Sequence, residues 1–226
     1  LDVLKNEQVI LARRESGGGA VFHDSGNLNF TFVMCTEAYD EEKQNNVILS
    51  ALKSLGIAAY KSGRNDLLID GRKFSGQAYY HHNGKSFHHG TIMLEVSEED
   101  LSRYLKVSVK KLNDKHVSSL RSRVINLREL LPSLTLPELK KALKAAFEKE
   151  YGSVAAALYE EDLNQALILE TENKYGSEAW LYRHEKKYDY VAEEKFAWGL
   201  CRIEYDLKDS VIKDCALYTD AMDADH

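Results

Sequence analysis

Proline is almost missing from this sequence, with two in 226 residues. No low-complexity tract and no internal repeat of fixed period is present either, which excludes proline-rich linkers and solenoid arrays. No apolar run approaches the roughly 20 residues that a membrane-spanning helix needs, so no membrane partner is expected. An excess of positive charge is also lacking. Thirty Lys+Arg against 36 Asp+Glu leave a formal charge of -6, which argues against a nucleic-acid partner held mainly through phosphate contacts. Three cysteines, Cys35, Cys201 and Cys215, form no C-x-x-C pair and are odd in number. Neither a disulfide framework nor a zinc ribbon is indicated, and a reducing cytoplasm is the expected location. The chain opens at Leu1 without a signal-peptide layout, and the expectation is a truncated start.

What is present is enough apolar material for a core. A composition of 44% hydrophobic and 29% charged residues over this length fits one large domain, or a domain with a small appendage. Val9-Ile10-Leu11-Ala12 predicts a buried strand feeding a turn at Gly17-Gly18-Gly19, and Val21-Phe22 and Phe30-Thr31-Phe32-Val33 read as further strands. Apolar residues at 47, 48, 51, 52 and 55 predict a helix over 46–55 closed by Gly56. Leu67-Leu68-Ile69, a run to Tyr80, and 91–96 are separated by Asp70-Gly71 and Asn83-Gly84. Such pairs supply the positive φ angles of tight hairpins, so an antiparallel meander is expected. Ser97 with Asp100 predicts a capped helix to Leu105, and Thr135 with Glu138, Pro137 in its first turn, predicts a second ending at Gly152. Alternation at 196–198, 203–207, 211–212 and 216–218 predicts a terminal hairpin, with the charged stretch 183–195 as the expected domain boundary.

Three segments carry candidate chemistry. In Arg13-Arg14-Glu15-Ser16-Gly17-Gly18-Gly19-Ala20-Val21-Phe22-His23-Asp24 the glycines let backbone N–H groups approach an anion closely. A bare triple glycine is most often a flexible turn, but the flanking arginines and His23 give a phosphate or carboxylate something to bind. Ser62-Gly63-Arg64-Asn65-Asp66 is a polar turn in which Asp66 can hold magnesium through a carboxylate oxygen. Gly71-Arg72-Lys73-Phe74-Ser75-Gly76-Gln77-Ala78 sets Lys73 on a strand near Gly76, which leaves room for a close approach. A lone strand lysine is usually solvated surface. His81, His82, His88 and His89 invite a zinc reading, which is set aside because adjacent histidines point to opposite faces and no cysteine or acidic cluster completes a tetrahedral set.

Read together, RRESGGGAVFHDSGN, SGRNDL, GRKFSGQA and HHGTIML, in this order and spacing, resemble the lipoate–protein ligase family. The resemblance extends through Ser119-Leu120-Arg121-Ser122-Arg123-Val124 to Phe196-Ala197-Trp198-Gly199 and so covers nearly the whole chain. It implies an α+β fold, a mixed and largely antiparallel sheet packed with helices as in biotin and lipoate ligases. It also implies a catalytic domain over 1–187 and the beginning of a small accessory domain over 188–226. An N-terminal portion and most of the accessory domain are expected to be lacking.

The resemblance implies two half-reactions: ATP and free lipoate form lipoyl-adenylate, and a lysine of an apo-protein then takes the lipoyl group. Expected acceptors are lipoyl domains of 2-oxoacid dehydrogenase acyltransferase subunits and the glycine cleavage H protein. By the same resemblance Lys73 is the catalytic cation, and Arg14, Gly19, Ala20, Val21, Phe22, Asn65, Asp66 and Lys73 are expected to bind ATP, with magnesium on Asp66. Gly17, Gly18, His23, Lys73, Gly76, Ala78 and His89 are expected around lipoate. The basic stretch 106–128, with Lys106, Lys110, Lys111, Lys115, Arg121, Arg123 and Arg128 against Asp114 alone, reads as a solvated face, a loop closing over the adenylate, or a docking site for an acidic lipoyl domain. Two rivals remain. One is a lipoyl or octanoyl transferase that uses an acylated protein donor without ATP, with Cys35 as its candidate nucleophile unless Cys35 is merely a buried apolar filler. The other is a lipoate-binding protein without turnover. Biotin ligase is disfavoured because its glycine-arginine motif finds no match.

Overall fold

The computed structural model describes residues 4, 6–63, 65–105, 123–153, 156–182, 188–197 and 199–219. The chain divides into two compact units, one of Ala20–Ala155 and one of Leu1–Gly19 with Ala156–His226. The fold is α+β with antiparallel sheets, as expected. The basic segment 106–122 lies outside the described residues, and with it Lys106, Lys110, Lys111, Lys115 and Arg121.

The unit Ala20–Ala155 is built on β1 (Asn27–Cys35), α1 (Glu41–Ser54), β2 (Tyr60–Ser62), β3 (Asp66–Ile69), β4 (Arg72–His82) and β5 (Lys85–Met93), followed by α2 (Glu98–Tyr104), α3 (Leu127–Leu130) and α4 (Leu136–Tyr151). Its strands form one sheet in the order β1-β5-β4-β3-β2, all pairs antiparallel. The meander is therefore real from β3 to β5. Asp70 (φ 48°) with Gly71 (φ 77°), and Asn83 (φ 49°) with Gly84 (φ 71°), make its turns, the two-residue loops with positive φ at both positions whose twist matches that of the strands. β1 alternates strictly: Leu28, Phe30, Phe32 and Met34 turn inward, while Asn29, Thr31, Val33 and Cys35 are exposed.

The inward face of the sheet packs on α1 and α4. Asp40 caps α1 by accepting from the Lys43 N–H at 2.9 Å, and the helix begins at Glu41, five residues before the apolar periodicity of the sequence. The physical reason is that its buried first turns are polar, Gln44 being 0% and Asn45 2% exposed. Gln77 Nε2 donates to Asn45 Oδ1 at 2.7 Å, and His88 Nδ1 lies 2.8 Å from Gln44 Oε1. The Tyr79 hydroxyl stands 2.9 Å from Glu41 Oε1 and 3.0 Å from Gln77 Oε1, so its proton serves one of them at a time. Burial, then the Glu41 carboxylate, holds the Tyr79 phenol above its ordinary range. Further along α1, Ile48 and Leu52 join Leu67, Phe74, Ile92, Ile125 and Leu139 in the main apolar core. α4 carries the predicted capping box, with the Thr135 N–H donating to Glu138 Oε2 at 2.8 Å, and ends at Gly152 (φ 93°). The predicted cap of α2 is also present, the Asp100 N–H donating to Ser97 Oγ at 3.2 Å.

The other unit contains α5 (Gln165–Gly176), α6 (Glu178–Tyr182) and a sheet ordered β6 (Tyr190–Phe196), β7 (Gly199–Lys208), β8 (Val211–Thr219). Two expectations fail. Val9-Ile10-Leu11-Ala12 makes no strand among the described residues and leaves Ile10 91% exposed, and Val21-Phe22 pairs in no sheet. A third strand was not foreseen where it begins: β6 takes in residues 190–195 of the charged stretch 183–195 before the expected alternation at Phe196, and all seven of its residues are exposed. α5 and α6 were not foreseen, and no residue of either is buried.

His88 is 0% exposed, with its ring against Phe30, Phe32 and Tyr79. Burial, then the charges of His89 and Lys61, pushes its pKa down to about 3 from 6.5. The unfolded chain takes up a proton at this residue near pH 6.5 and the folded chain does not, so stability is flat above that pH and falls below it. Urea unfolding between pH 7.5 and 4.5 is expected to show a loss whose slope from this residue approaches about 1.4 kcal/mol per pH unit. His88→Gln should flatten the profile, and parallel profiles for both proteins would contradict a neutral buried imidazole.

Candidate active site

The site is set by an irregularity between β3 and β4. Asp66 pairs with Gly76 and Leu67 with Ser75, but Leu68 pairs with Lys73, leaving Phe74 as an extra residue on β4. Phe74 and Ser75 are both 0% exposed, and in a regular strand successive side chains alternate between faces. In an unbroken strand residues 73 and 76 would face opposite sides. The bulge restores Lys73 to the side of Gly76, the re-aiming for which bulges recur next to active sites.

Lys73 then lies across Gly76. A Cβ at Gly76 would stand 2.9 Å from Lys73 Nζ and 3.0 Å from its Cε, so any side chain there would make the end of Lys73 shift from this path. Asp66, opposite Gly76 and therefore on the same face, holds the ammonium at 2.6 Å from Oδ1, with both side chains 38% exposed. Two residues on from Gly76, Ala78 stands opposite His89, and His89 opposite Thr31 of β1. Asp66, Lys73, Gly76, Ala78 and His89 thus share the face turned away from α1. A cation with its counter-ion sits at one end of this face and small residues continue from it. Asn65 brackets the adjoining backbone, its carbonyl accepting from the Gln77 N–H at 2.9 Å.

Asp66 is the acidic partner of Lys73, and no cluster of three or more His, Cys, Asp or Glu able to hold a metal occurs among the described residues. A single carboxylate suits magnesium, which keeps waters and takes further oxygens from substrate phosphates. It does not suit zinc. His88 Nδ1 is engaged with Gln44 Oε1 inside the core, and His81 Nδ1 lies 2.7 Å from Ser86 Oγ.

The glycine-rich segment straddles the two units. In the unit containing Leu1–Gly19, Arg14 Nη2 donates to the carbonyls of Gly17 at 2.8 Å and Gly19 at 2.7 Å, with Nε on Gly17 at 3.1 Å. Burial lowers its pKa. Arg14 therefore shapes the loop around its own guanidinium, while Gly18 takes φ 92° and Gly19 is open, with nothing within 4 Å of an added Cβ. Arg13 is engaged with α6. Its Nε donates to the Leu181 carbonyl at 2.8 Å, its carbonyl accepts from Trp180 Nε1 at 2.8 Å, and Glu15 pairs with Lys174 at 2.8 Å, so α5 and α6 anchor the stem of the loop. In the unit Ala20–Ala155, Ala20, Val21 and His23 are exposed and Phe22 stacks on Tyr104 at 5.2 Å between centroids. Asp24 ties the end of the motif to the start of α2, accepting from the Ser97 N–H at 2.9 Å.

Cys35 is exposed, not a buried filler. It ends β1 opposite Lys85, which is itself opposite His82, the last residue of β4. Lys73 is near the beginning of that 11-residue strand, which at about 3.3 Å per residue is roughly 35 Å long. The thiol and the ammonium are at opposite ends of the sheet.

Residues 1–148 match the lipoyl protein ligase A/B catalytic domain family, and residues 185–226 match the bacterial lipoate protein ligase C-terminus. Among solved structures, the chain is similar to P. falciparum LipL1 in complex with lipoate (28% identity, TM-score 0.82, covering 98% of this chain and 66% of that one). It is also similar to a structure from an archaeal lipoylation system, a bipartite lipoate protein ligase and its E2 lipoyl domain from Thermoplasma acidophilum (29%, TM-score 0.71, 84% and 76%). A third likeness is to lipoate-protein ligase A bound with ATP (26%, TM-score 0.67, 79% and 74%). The chain spans just under two thirds of the LipL1 chain.

Gly76→Val should leave the fold in place, since a β-branched residue suits a strand, yet it should push Lys73 off its path and away from Asp66. Mass-spectrometric footprinting with an amine-reactive reagent is expected to label Lys73 several-fold faster in the variant, relative to the other lysines. Equal relative labelling would show that Lys73 does not cross Gly76.

Proposed function

The chain belongs to the lipoyl protein ligase A/B catalytic domain family, and from that premise we propose that it activates free lipoate with ATP and transfers the lipoyl group to a lysine of an apo lipoyl-domain protein. The observation that carries this reading is the ammonium of Lys73, turned by the Phe74 bulge onto a face of small residues and balanced by Asp66. The chemistry needs charge neutralisation more than an enzymic nucleophile. A lipoate carboxylate oxygen attacks the α-phosphorus and pyrophosphate departs, and the acceptor lysine then attacks the acyl carbon, loses a proton and expels AMP. In both steps negative charge grows on oxygens at one locus, and a preorganised cation there lowers both barriers.

Without substrate, Asp66 occupies Lys73 and holds it extended across Gly76. With substrate, the carboxylate and α-phosphate take over as partners of Lys73; Asp66, no longer paired with it, would be the residue to hold magnesium, which would supply charge to offset that of the phosphates. Arg14 and the open backbone of Gly19, Ala20, Val21 and Phe22, together with Asn65, serve the nucleotide. Gly17, Gly18, His23, Gly76, Ala78 and His89 serve the lipoyl chain, and the absent or short side chains at Gly76 and Ala78 suit the close approach of such a chain to the sheet. Acceptors are lipoyl domains of 2-oxoacid dehydrogenase acyltransferase subunits and the glycine cleavage H protein, by analogy with the T. acidophilum ligase and its E2 lipoyl domain. The three free thiols are consistent with a cytoplasmic setting. The alternative, a transferase acting through Cys35, is disfavoured by the distance of that thiol from Lys73.

Transfer of free lipoate to an apo lipoyl domain is therefore expected only with ATP and magnesium, with lipoyl-adenylate accumulating when the acceptor is withheld. Lys73→Ala should abolish both half-reactions, measured as pyrophosphate release and as a gel shift of the acceptor. It should cost less than about 1 kcal/mol of stability, the pair with Asp66 being partly exposed. Asp66→Asn should impair the ATP-dependent step, and Cys35→Ser should leave it within twofold. Transfer from an acylated donor without ATP, lost in Cys35→Ser, would replace this reading by the transferase; lipoate binding without any adenylate would replace it by a binding protein.

A further inference from the structure

One edge of β4 has two different neighbours. From Gln77 to His82 it pairs with β5. At Lys73 the segment 123–126 takes over: the Lys73 N–H donates to the Arg123 carbonyl at 2.7 Å, the Lys73 carbonyl accepts from the Ile125 N–H at 3.0 Å, and Lys73 forms a parallel bridge with Val124. On the other edge Lys73 pairs with Leu68, next to the bulge. The backbone from which the ammonium is aimed is gripped on both sides.

Two side chains moor the gripping segment. Asn126 clasps Val96, its Oδ1 accepting from the Val96 N–H at 2.9 Å and its Nδ2 donating to the Val96 carbonyl at 3.0 Å. Glu129 accepts from the Asn126 N–H at 2.8 Å and, with its other oxygen, from Arg72 Nη1 at 3.0 Å. One carboxylate thus ties the segment to the residue just before Lys73. Ile125 and Leu127, either side of Asn126, are 0% exposed and set the depth at which the segment lies.

We propose that Asn126, reinforced by Glu129, is a positioning residue for Lys73. It touches no reacting atom; by holding 123–126 in register against β4 it fixes where the ammonium is presented. The proposal rests on the assignment of Lys73 above. Catalytic groups have to be held to within about 0.5 Å, and a misplacement of about 1 Å from a remote change can cost on the order of 100-fold.

The test uses Asn126→Ala in the full chain, with two readouts. Steady-state pyrophosphate release should show kcat lowered tenfold or more per mole of folded protein, with KM for lipoate and for ATP within threefold. Hydrogen exchange should show the amides of Lys73 and Ile125 at least tenfold faster, with that of Ile48 in α1 unchanged. A merely structural role would lower the folded fraction and leave kcat per folded molecule intact. Should Asn126→Ala not fold, Glu129→Ala, at a side chain 39% exposed, is expected to move both readouts in the same direction by a smaller factor. Unchanged kcat, or exchange at Lys73 no faster than at Ile48, would overturn the proposal. Absence of pyrophosphate release in the wild type would refute the ligase reading, and the exchange measurement would then decide the positioning role by itself.

Discussion

The extra residue at Phe74 decides which side of the sheet Lys73 serves. A fully buried aromatic ring beside a fully buried serine is a commitment of the core, since returning Phe74 to regular alternation would drag its ring toward solvent and turn Lys73 to the wrong face. The hydrophobic core and the aim of the cation are one constraint seen from two sides. Asp66, Gly76 and the segment 123–126 then have defined places: a counter-ion, a clear path, and a grip on the backbone. The electrostatic part of the site is modest in the folding balance, because both charges are partly solvated; its worth lies in preorganisation.

The opposite face of the same sheet carries a different kind of specificity. α1 docks first through polar residues, Gln44 and Asn45 against His88 and Gln77, and only then through Ile48 and Leu52. Apolar surfaces tolerate sliding, whereas a buried amide without its partner costs about 1–3 kcal/mol. The polar tier therefore pins the helix along the strands. It also keeps a neutral imidazole in the interior, which makes the sheet sensitive to acid from within.

The glycine-rich motif shows how a segment can be informative about chemistry and misleading about contacts. Two adjacent arginines beside three glycines read as a pair of ligand cations. In the fold Arg13 and Glu15 belong to α5 and α6, and Arg14 folds back on the carbonyls of Gly17 and Gly19. The loop is thereby shaped before any ligand arrives, which reduces the ordering cost of binding.

What the sequence determined by itself was local or collective. The turns at Asp70-Gly71 and Asn83-Gly84, the caps at Ser97 and Thr135 and the stops at Gly56 and Gly152 depend on neighbours a few residues away, and all of them formed. The four motifs together also carried the family. The limits of α1 and β6 were hidden, because a buried polar turn and a fully exposed strand leave no apolar period to read. Only the tertiary structure decided that Phe74 would bulge, that 123–126 would replace β5 beside Lys73, and that Cys35 would end far from it. Each depends on which strands become neighbours, and pairing between residues distant in the chain is written in no local pattern.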